Sequence, residues 1–176
     1  MRVDSLGDRL ARGEQSAFAE LYDACAGRLH AYLVSRLRSH SDADDVIQET
    51  FVRMARSRHK LARVENLTAY VFTIARREAL RFAGRRSREY QGRVVGDVNE
   101  LSSENADVPA QDTAELLAAA LARLSPGERE VIELKTYGGL VLREISEVTG
   151  VPQGTIATRY RTALERLRTM LAKNIQ

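Results

Sequence analysis

The chain has little of what stabilises secreted proteins or builds metal sites. Cys25 is its only cysteine, which excludes an intramolecular disulfide and a zinc site made of cysteines. We expect Cys25 to be a small buried hydrophobe. The three histidines, His30, His40 and His59, lack metal-ligand spacing, so neither a metal nor any other cofactor is expected.

Long hydrophobic runs are also absent. No stretch approaches the roughly 20 apolar residues that cross a bilayer, and residues 1–12 are charged and lack the apolar region of a signal peptide. These features predict a cytoplasmic protein without membrane insertion. At 176 residues and 44% hydrophobic content, the chain is long enough for two small domains with packed cores.

The net charge of +3 is unevenly distributed along the chain. Residues 53–93 hold twelve basic and three acidic side chains, whereas residues 94–122 hold six acidic and no basic ones. The basic block is a candidate surface for a polyanion. The acidic block predicts a flexible linker, which we expect over residues 93–112, and its charge could screen the flanking modules from DNA.

The C-terminal fifty residues predict a helix-turn-helix. Ser125–Glu128 has the order of a capping box with a first-turn proline, which places a helix start near Pro126. A Gly-Gly pair then precedes a short amphipathic helix over about Val141–Thr149, and Gly150 ends that helix. Thr155 is placed to cap the last helix.

The last helix has one apolar and one polar face. Its apolar stripe consists of Ile156, Tyr160, Leu164, Leu167 and Leu171. The opposite face carries arginine and threonine, which can reach phosphates and base edges in a major groove. A solvated helix in an ordinary bundle is the alternative, but the turn and the short preceding helix together favour binding of double-stranded DNA.

The N-terminal half predicts three further helices. The first spans about Glu14–Arg38, the second is capped by Ser41 and reaches about Arg58, and the third is capped by Asn66 and ends at Gly84. Apolar residues at helical spacing, Leu80 among them, are expected in the core of this half. The chain is therefore predicted to be all-α.

An enzyme is the competing hypothesis, because Asp44, Asp45 and Glu49 resemble a carboxylate cluster that could hold Mg²⁺. First-turn aspartates are ordinary partners of the helix dipole. The sequence also contains no Gly-rich phosphate loop and no evident nucleophile-base pairing. We therefore expect no catalytic residues and no small-molecule substrate.

Several segments together resemble the extracytoplasmic-function (ECF) sigma factors of bacterial RNA polymerase. Phe18–Tyr22, Asp42–Phe51 and Ala69–Arg76 resemble region 2 of that family. The segments that resemble region 4 are Leu124–Val131, Gly139-Leu140, Glu144-Ile145, Gly150–Pro152 and Gly154–Arg159. The two sets cover nearly the whole chain in the family's order, which is far more specific than either alone. The resemblance implies region 2 over residues 1–92 and region 4 over residues 113–176.

The resemblance also implies roles for individual residues. Contacts to core polymerase would come from Asp45, Gln48, Glu49, Phe51 and Arg53. The minus-ten element would be bound by Arg58, Lys60, Arg63, Asn66, Tyr70, Arg76, Arg77 and Arg81, in part through a loop that captures a flipped base. The minus-thirty-five element would be read by Thr155, Thr158, Arg159, Arg161 and Thr162.

Three positions depart from the family's pattern. Tyr70 stands where tryptophan is frequent, Arg77 where asparagine is common, and Ala157 where lysine or arginine is common. The promoter sequence is therefore not transferable to this chain. The missing cation at Ala157 should also reduce phosphate contacts and the salt dependence of binding.

The function that the resemblance implies is non-enzymatic. The chain would bind core RNA polymerase and promoter DNA, direct initiation, and be inhibited by a separate anti-sigma factor. Two alternatives remain open at this point. A stand-alone helix-turn-helix regulator would bind an operator tightly without polymerase, often as a dimer, and a sigma-like mimic would sequester a regulator instead of initiating transcription.

Overall fold

The computed structural model describes residues 5–92 and 111–172 of the chain. Within these ranges the secondary structure is entirely helical, which confirms the predicted all-α class. The helices are α1 (Leu6–Ala11), α2 (Gln15–Leu37), α3 (His40–Arg56), a 3₁₀ helix (Arg58–Arg63), α4 (Leu67–Gly92), α5 (Gln111–Ala122), α6 (Pro126–Thr136), α7 (Leu142–Thr149) and α8 (Gln153–Ala172). The predicted linker lies outside the described residues, except that its last two positions open α5.

The junction between α2 and α3 is tighter than predicted. Arg38 adopts a left-handed conformation with φ of 55° and ends α2. The next residue, Ser39, is extended and caps α3, because its Oγ accepts a hydrogen bond from the Asp42 N–H at 3.2 Å. The prediction of Ser41 as the cap was therefore wrong by two residues.

Helix α4 begins as predicted and ends later than predicted. Asn66 caps it, since its Oδ1 accepts a hydrogen bond from the Ala69 N–H at 2.9 Å. The helix continues through Gly84 to Gly92, because one glycine costs only about 1 kcal/mol in a helix. Leu80 is 48% exposed, contrary to its expected place in the core, whereas Ala79 is buried.

The helix-turn-helix is formed by α7 and α8. The Ser125–Glu128 capping box is present at the start of α6, as predicted. Gly150 ends α7 with φ of 72°, a backbone conformation that glycine adopts without strain. Thr155 does not cap α8, because the helical hydrogen bonds already begin with the Ile156 N–H donating to the Pro152 carbonyl at 3.0 Å.

Two apolar clusters hold the described residues together. The larger joins α1–α4 and continues into the C-terminal helices through Val131, Leu134, Leu140, Ile145, Val148 and Ile156. The smaller consists of Ala120, Leu121, Leu124, Ile132, Ala163 and Leu167. Leu164 was expected in this core but is exposed. At 100° per residue it lies about 80° around α8 from Ile156, and the small Ala163 takes the buried position.

Cys25 is free and buried in the larger cluster, as predicted. Burial raises the pKa of its thiol to about 11, so little thiolate exists at neutral pH. Among the helices of residues 5–92 and 111–172, none combines the length and apolar character needed to cross a membrane.

Candidate nucleic-acid interface

An open groove runs along one face of α3 beside α2. Its walls are Tyr22, Asp44, Ile47, Gln48, Phe51, Val52 and Ala55. The rings of Tyr22 and Phe51 meet edge to face with their centroids 5.1 Å apart. Tyr22 is nearly half exposed although it is a large aromatic side chain. This groove thus presents apolar surface next to an exposed carboxylate and amide, a composition suited to a protein partner.

The five residues expected to contact polymerase do not share that groove. Gln48 and Phe51 line it, whereas Asp45, Glu49 and Arg53 lie further around α3. Glu49 and Arg53 form an i,i+4 ion pair of 2.8 Å, which is the spacing at which helical side chains are neighbours. The expected contacts therefore spread over two faces of one helix.

A basic pocket of about 350 Å³ opens on the opposite face of α3, between α3 and α4. Tyr70, Arg77 and Arg81, all expected at the minus-ten element, converge on it. Its other lining residues are Arg53, Arg56, Ser57, Ile74 and Glu78. Four arginines around one aromatic ring can hold phosphates and stack a base.

Sequence reasoning placed Arg53 with polymerase and did not assign Arg56 or Glu78 to a DNA site. Glu78 is buried beneath the arginines, and its carboxylate lies 2.9 Å from Arg53 Nε and 3.0 Å from Arg81 Nη1. The spacing of Arg53 and Arg56, three residues apart on a helix, was a signal that could have grouped them. The contact with α4 could not be read from α3 alone.

Three more residues of the expected minus-ten set lie on the 3₁₀ helix. Arg58, Lys60 and Arg63 are all exposed there. Leu61 in the same segment is fully buried and holds the 3₁₀ helix against the core. The cations consequently stand on an anchored segment next to the cap of α4.

The last two residues of that set face the C-terminal helices instead. Arg76 donates from Nε and Nη2 to the two carboxylate oxygens of Glu130 at 2.8 and 3.0 Å, and these bonds hold the pKa of Arg76 above its usual value. Asn66 donates to Glu144 at 2.8 Å. Because consecutive helical residues point about 100° apart, adjacent Arg76 and Arg77 serve different partners.

The contact with Asn66 also shifts the pKa of Glu144. Burial works to raise its pKa, but hydrogen bonds from Asn66 and from the Val141 N–H outweigh burial and hold the pKa below its usual value. Its carboxylate is therefore ionised at neutral pH and committed to two donors.

The residues expected to read the upstream element lie along α8. Thr155, Thr158 and Arg161 are exposed, and Arg159 and Thr162 are half-buried. Four of the five, all except Arg161, lie within about 100° of one another around the helix. The Arg159 guanidinium packs over Gly127, where an added Cβ would come within 3.0 Å of it. This contact orients Arg159 from the first turn of α6.

Asp44, Asp45 and Glu49 do not form a joint site. Asp44 lies 3.5 Å from His30 Nε2, and Glu49 pairs with Arg53. In the part of the chain that the structure describes, no three histidine, cysteine, aspartate or glutamate side chains are grouped as metal ligands.

Both halves of the chain match known protein families. Residues 21–89 match the family model of sigma-70 region 2, and residues 120–169 match that of sigma-70 region 4. Among solved structures, CnrH in complex with the cytosolic domain of CnrY superposes with a TM-score of 0.69 at 25% identity, covering 96% of each chain. RpoE in complex with the anti-sigma factor NepR from Bartonella quintana gives a TM-score of 0.61 at 26% identity, covering 92% of this chain and 98% of that one.

Curated relatives agree over most of the chain. The ECF RNA polymerase sigma factor RpoE of Cereibacter sphaeroides is 31% identical, with 88% of this chain and 86% of the relative covered. The ECF RNA polymerase sigma factor SigK of Mycobacterium bovis is 30% identical, with 96% and 93% covered. With both regions matched in order on an all-helical fold, the chain belongs to the family of ECF RNA polymerase sigma factors, which direct promoter-specific initiation of transcription.

Proposed function

We propose that this sigma factor divides its work between two modules. Residues 1–92 bind core RNA polymerase and the minus-ten element, residues 93–112 are the linker, and residues 113–176 bind the minus-thirty-five element. Polymerase performs the catalysis, and the chain itself has no catalytic activity. It works in the cytoplasm, where promoter DNA and polymerase are found.

The observation that carries this proposal is the two-sidedness of α3. Asp44 of the groove and Arg53 of the basic pocket lie about 180° apart around the helix, and the two faces approach each other only at Val52 and Arg56, about 40° apart. One short helix can therefore touch polymerase on one side and promoter DNA on the other. Such an arrangement couples polymerase binding to DNA binding without any catalytic group.

Within the first module, we assign the groove around Gln48 and Phe51 to polymerase, with Asp45 and Glu49 at its edge. The basic pocket with Tyr70, Arg77 and Arg81 takes the minus-ten strand, and Arg53 and Arg56 supplement it. The cations of the 3₁₀ helix extend this surface toward the flipped base, whose extrusion costs about a few kcal/mol that capture must offset. Asn66 and Arg76 join the surface when they are released from the C-terminal module.

Within the second module, α8 enters the major groove of the upstream element. Thr155, Thr158, Arg159, Arg161 and Thr162 form the reading surface, and α7 positions α8 as in other helix-turn-helix proteins. The exposed methyl of Ala157 contributes no phosphate contact. We therefore expect a weak salt dependence for this module.

An anti-sigma factor on a separate chain is the proposed inhibitor. The structures of CnrH with CnrY and of RpoE with NepR support this assignment, since both show a similar chain in complex with another protein.

Run-off transcription with purified core polymerase and genomic fragments tests the proposal. We expect discrete transcripts that require both the sigma factor and core polymerase. A folded protein that yields no specific transcript from any fragment would overturn the initiation role. Tight binding to a two-fold operator without polymerase would favour the stand-alone regulator, and protein that binds a regulator yet never initiates would favour the sequestering mimic.

A further inference from the structure

The short helix α1 packs chiefly against the 3₁₀ helix that carries Arg58, Lys60 and Arg63. Leu10 of α1 and Leu61 of the 3₁₀ helix are both completely buried in the larger apolar cluster. None of the residues proposed to bind polymerase or DNA lies on α1. Any contribution of α1 to function therefore passes through the segment that it supports.

Helix α1 is held in place at its start and along its length, although six residues are too few for a stable isolated helix. Ser5 Oγ accepts a hydrogen bond from the Asp8 N–H at 3.1 Å, and the Asp8 carboxylate accepts one from the Ser5 N–H at 3.2 Å. Arg9 donates to Glu14 at 3.1 Å and to Glu20 at 2.7 Å. These bonds tie α1 to α2 and make it a fixed support.

The 3₁₀ helix depends on such a support, because hydrogen bonds of this helix type have poorer geometry than those of an α-helix. At its ends, the Lys60 N–H donates to the Ser57 carbonyl at 3.1 Å and the Val64 N–H to the Leu61 carbonyl at 3.2 Å. Leu61 is the single buried residue of the segment. The position of its cations consequently depends on what packs against its backbone.

Gly7 is the closest point of contact between the two helices. It is buried, and an added Cβ would lie 2.7 Å from the Leu61 carbonyl oxygen and 3.5 Å from the Ala62 Cα. Contacts between carbon and a carbonyl oxygen normally begin at about 3.3 Å, so a side chain at this position would push the two backbones apart by roughly half an ångström. No rotamer change relieves this clash, because the opposing atom belongs to the backbone.

A second glycine acts on the first arginine of the segment. Gly13 lies in the turn between α1 and α2 with φ of 82°, which glycine adopts without strain. An added Cβ would lie 3.1 Å from Nε and 3.4 Å from Cδ of Arg58. The Arg58 side chain therefore packs over this glycine, and its Nη1 donates to the Ala55 carbonyl at 3.5 Å.

We propose that α1 and the turn after it position the 3₁₀ helix for minus-ten recognition: Gly7 sets the backbone of that segment, and Gly13 sets Arg58. This inference rests on the proposed function, which assigns the 3₁₀ helix to the flipped base. Both glycines are positioning residues, because they act through the 3₁₀ helix. Precise placement matters there, since a binding site tolerates displacements of only about 0.5 Å.

The test first locates the captured base with the wild-type protein. A promoter found by run-off transcription receives an abasic site at each minus-ten position in turn, in the strand that is not transcribed, so that elongation is unaffected. Transcript is measured with full-length sigma factor and core polymerase. The position at which the abasic site lowers the transcript most is taken as the captured base.

Gly7→Ala and Gly13→Ala are then compared with Gly27→Ala on the intact promoter and on this abasic promoter. Gly27→Ala is the matched control, because Gly27 is an exposed residue of α2 in the same module, and an added Cβ there meets nothing within 4 Å. The second variant keeps the test decisive if Gly7→Ala does not fold, as circular dichroism would show.

We expect Gly7→Ala to lower the transcript about tenfold on the intact promoter and less than about twofold on the abasic one, because the two changes remove the same interaction and are not additive. Gly13→Ala should show the same pattern with a smaller loss, and Gly27→Ala should match the wild type. A loss of folded protein or of polymerase binding lowers both templates by the same factor. Equal losses on both templates, or no loss on the intact promoter, would overturn the positioning role.

The wild type separates failure of this inference from failure of the proposed function. If one abasic position lowers the wild-type transcript while both glycine variants lose equally on the two templates, only the positioning role fails. If no abasic position affects the wild type, the assignment of the 3₁₀ helix to a flipped base fails, and the inference fails with it.

Discussion

The two modules bury carboxylates in different ways. In the N-terminal module, buried Glu78 lies beside Arg53 and Arg81 of its own module, at the floor of the basic pocket. In the C-terminal module, Glu130 is paired with Arg76 of α4, and Glu133 is paired with Arg36 of α2 and with Arg129 of its own helix. Charge balance is therefore local for Glu78 and shared between the modules for Glu130 and Glu133, whereas buried Glu128 pairs with Arg166 within the C-terminal module.

The exposure of the partners sharpens this difference. The side chains of Arg53 and Arg81 are 42% and 57% exposed, so water supports them whether or not Glu78 is charged. Arg36 and Arg129, which hold Glu133, are only about a quarter exposed. Loss of the Glu78 carboxylate should therefore destabilise the protein less than loss of the Glu133 carboxylate.

The largest expected effect breaks the shared pairing. Glu133→Ala removes the carboxylate that Arg36 and Arg129 share at a buried site and should lower the free energy of unfolding by about 3–5 kcal/mol. Glu78→Ala should cost about 1–2 kcal/mol, because its partners are partly hydrated. Urea titration followed by circular dichroism measures both.

Glu147→Ala, at an exposed site, is the control for Glu133→Ala and should change the stability little. Equal losses for Glu133→Ala and Glu78→Ala would contradict the difference between local and shared charge balance. If the modules separate before they unfold, the loss at Glu133 should appear as an earlier first transition.

The second prediction concerns the reading surface of α8. Arg159→Ala should weaken binding of the polymerase holoenzyme to the upstream element by about 1–3 kcal/mol if its guanidinium contacts a base. Binding to core polymerase should stay intact, because Arg159 belongs to the other module. Arg168→Ala, an exposed arginine of the same helix, is the matched control. If Arg159→Ala and Arg168→Ala weaken DNA binding equally, Arg159 acts only through nonspecific attraction to phosphates and does not read a base.

A third, smaller effect is expected at the polymerase side of α3. Asp45→Ala and Glu49→Ala should each weaken binding of core polymerase by about 0.5–1 kcal/mol, as exposed charges do, and slow association more than they speed dissociation. Surface plasmon resonance with immobilised core polymerase measures both rates. Glu165→Ala serves as the control for charge. Our division of labour is wrong if these variants impair upstream DNA binding as much as Arg159→Ala does.

Local signals allowed much of the fold to be predicted. Capping at Ser125 and Asn66 and the helix end at Gly150 were predicted correctly, because a cap or a helix end depends on a few adjacent residues. The end of α4 was not, since Gly84 resembles a stop while its neighbours favour helix. Thr155 was misjudged as a cap, because the helix already begins at Gln153.

The composition of the site was harder to predict than its location. The sequence grouped Arg76 with Arg77, whereas helical geometry turns one toward Glu130 and the other toward the basic pocket. The sequence assigned Arg53 to polymerase, and nothing within α3 indicates that Arg53 also pairs with Glu78 of α4 and lines the basic pocket. Both differences arise from packing between helices that are distant in sequence, and the spacing of apolar residues within one helix does not predict such packing.

The smallest effect concerns pH and the Asn66–Glu144 contact. The pKa of Glu144 lies below its usual value of 4.5, so its charge stabilises the folded chain above about pH 5. That contribution is lost as the pH falls through the lower, folded-state pKa. We expect the stability difference between wild type and Glu144→Gln to be constant from pH 7 to about 5 and to shrink below 4.5. Denaturant titrations at a series of pH values measure it, and the other carboxyls cancel in the comparison. A difference that persists unchanged to pH 3 would mean that Glu144 acts through packing, and the contact with Asn66 would then owe nothing to its charge.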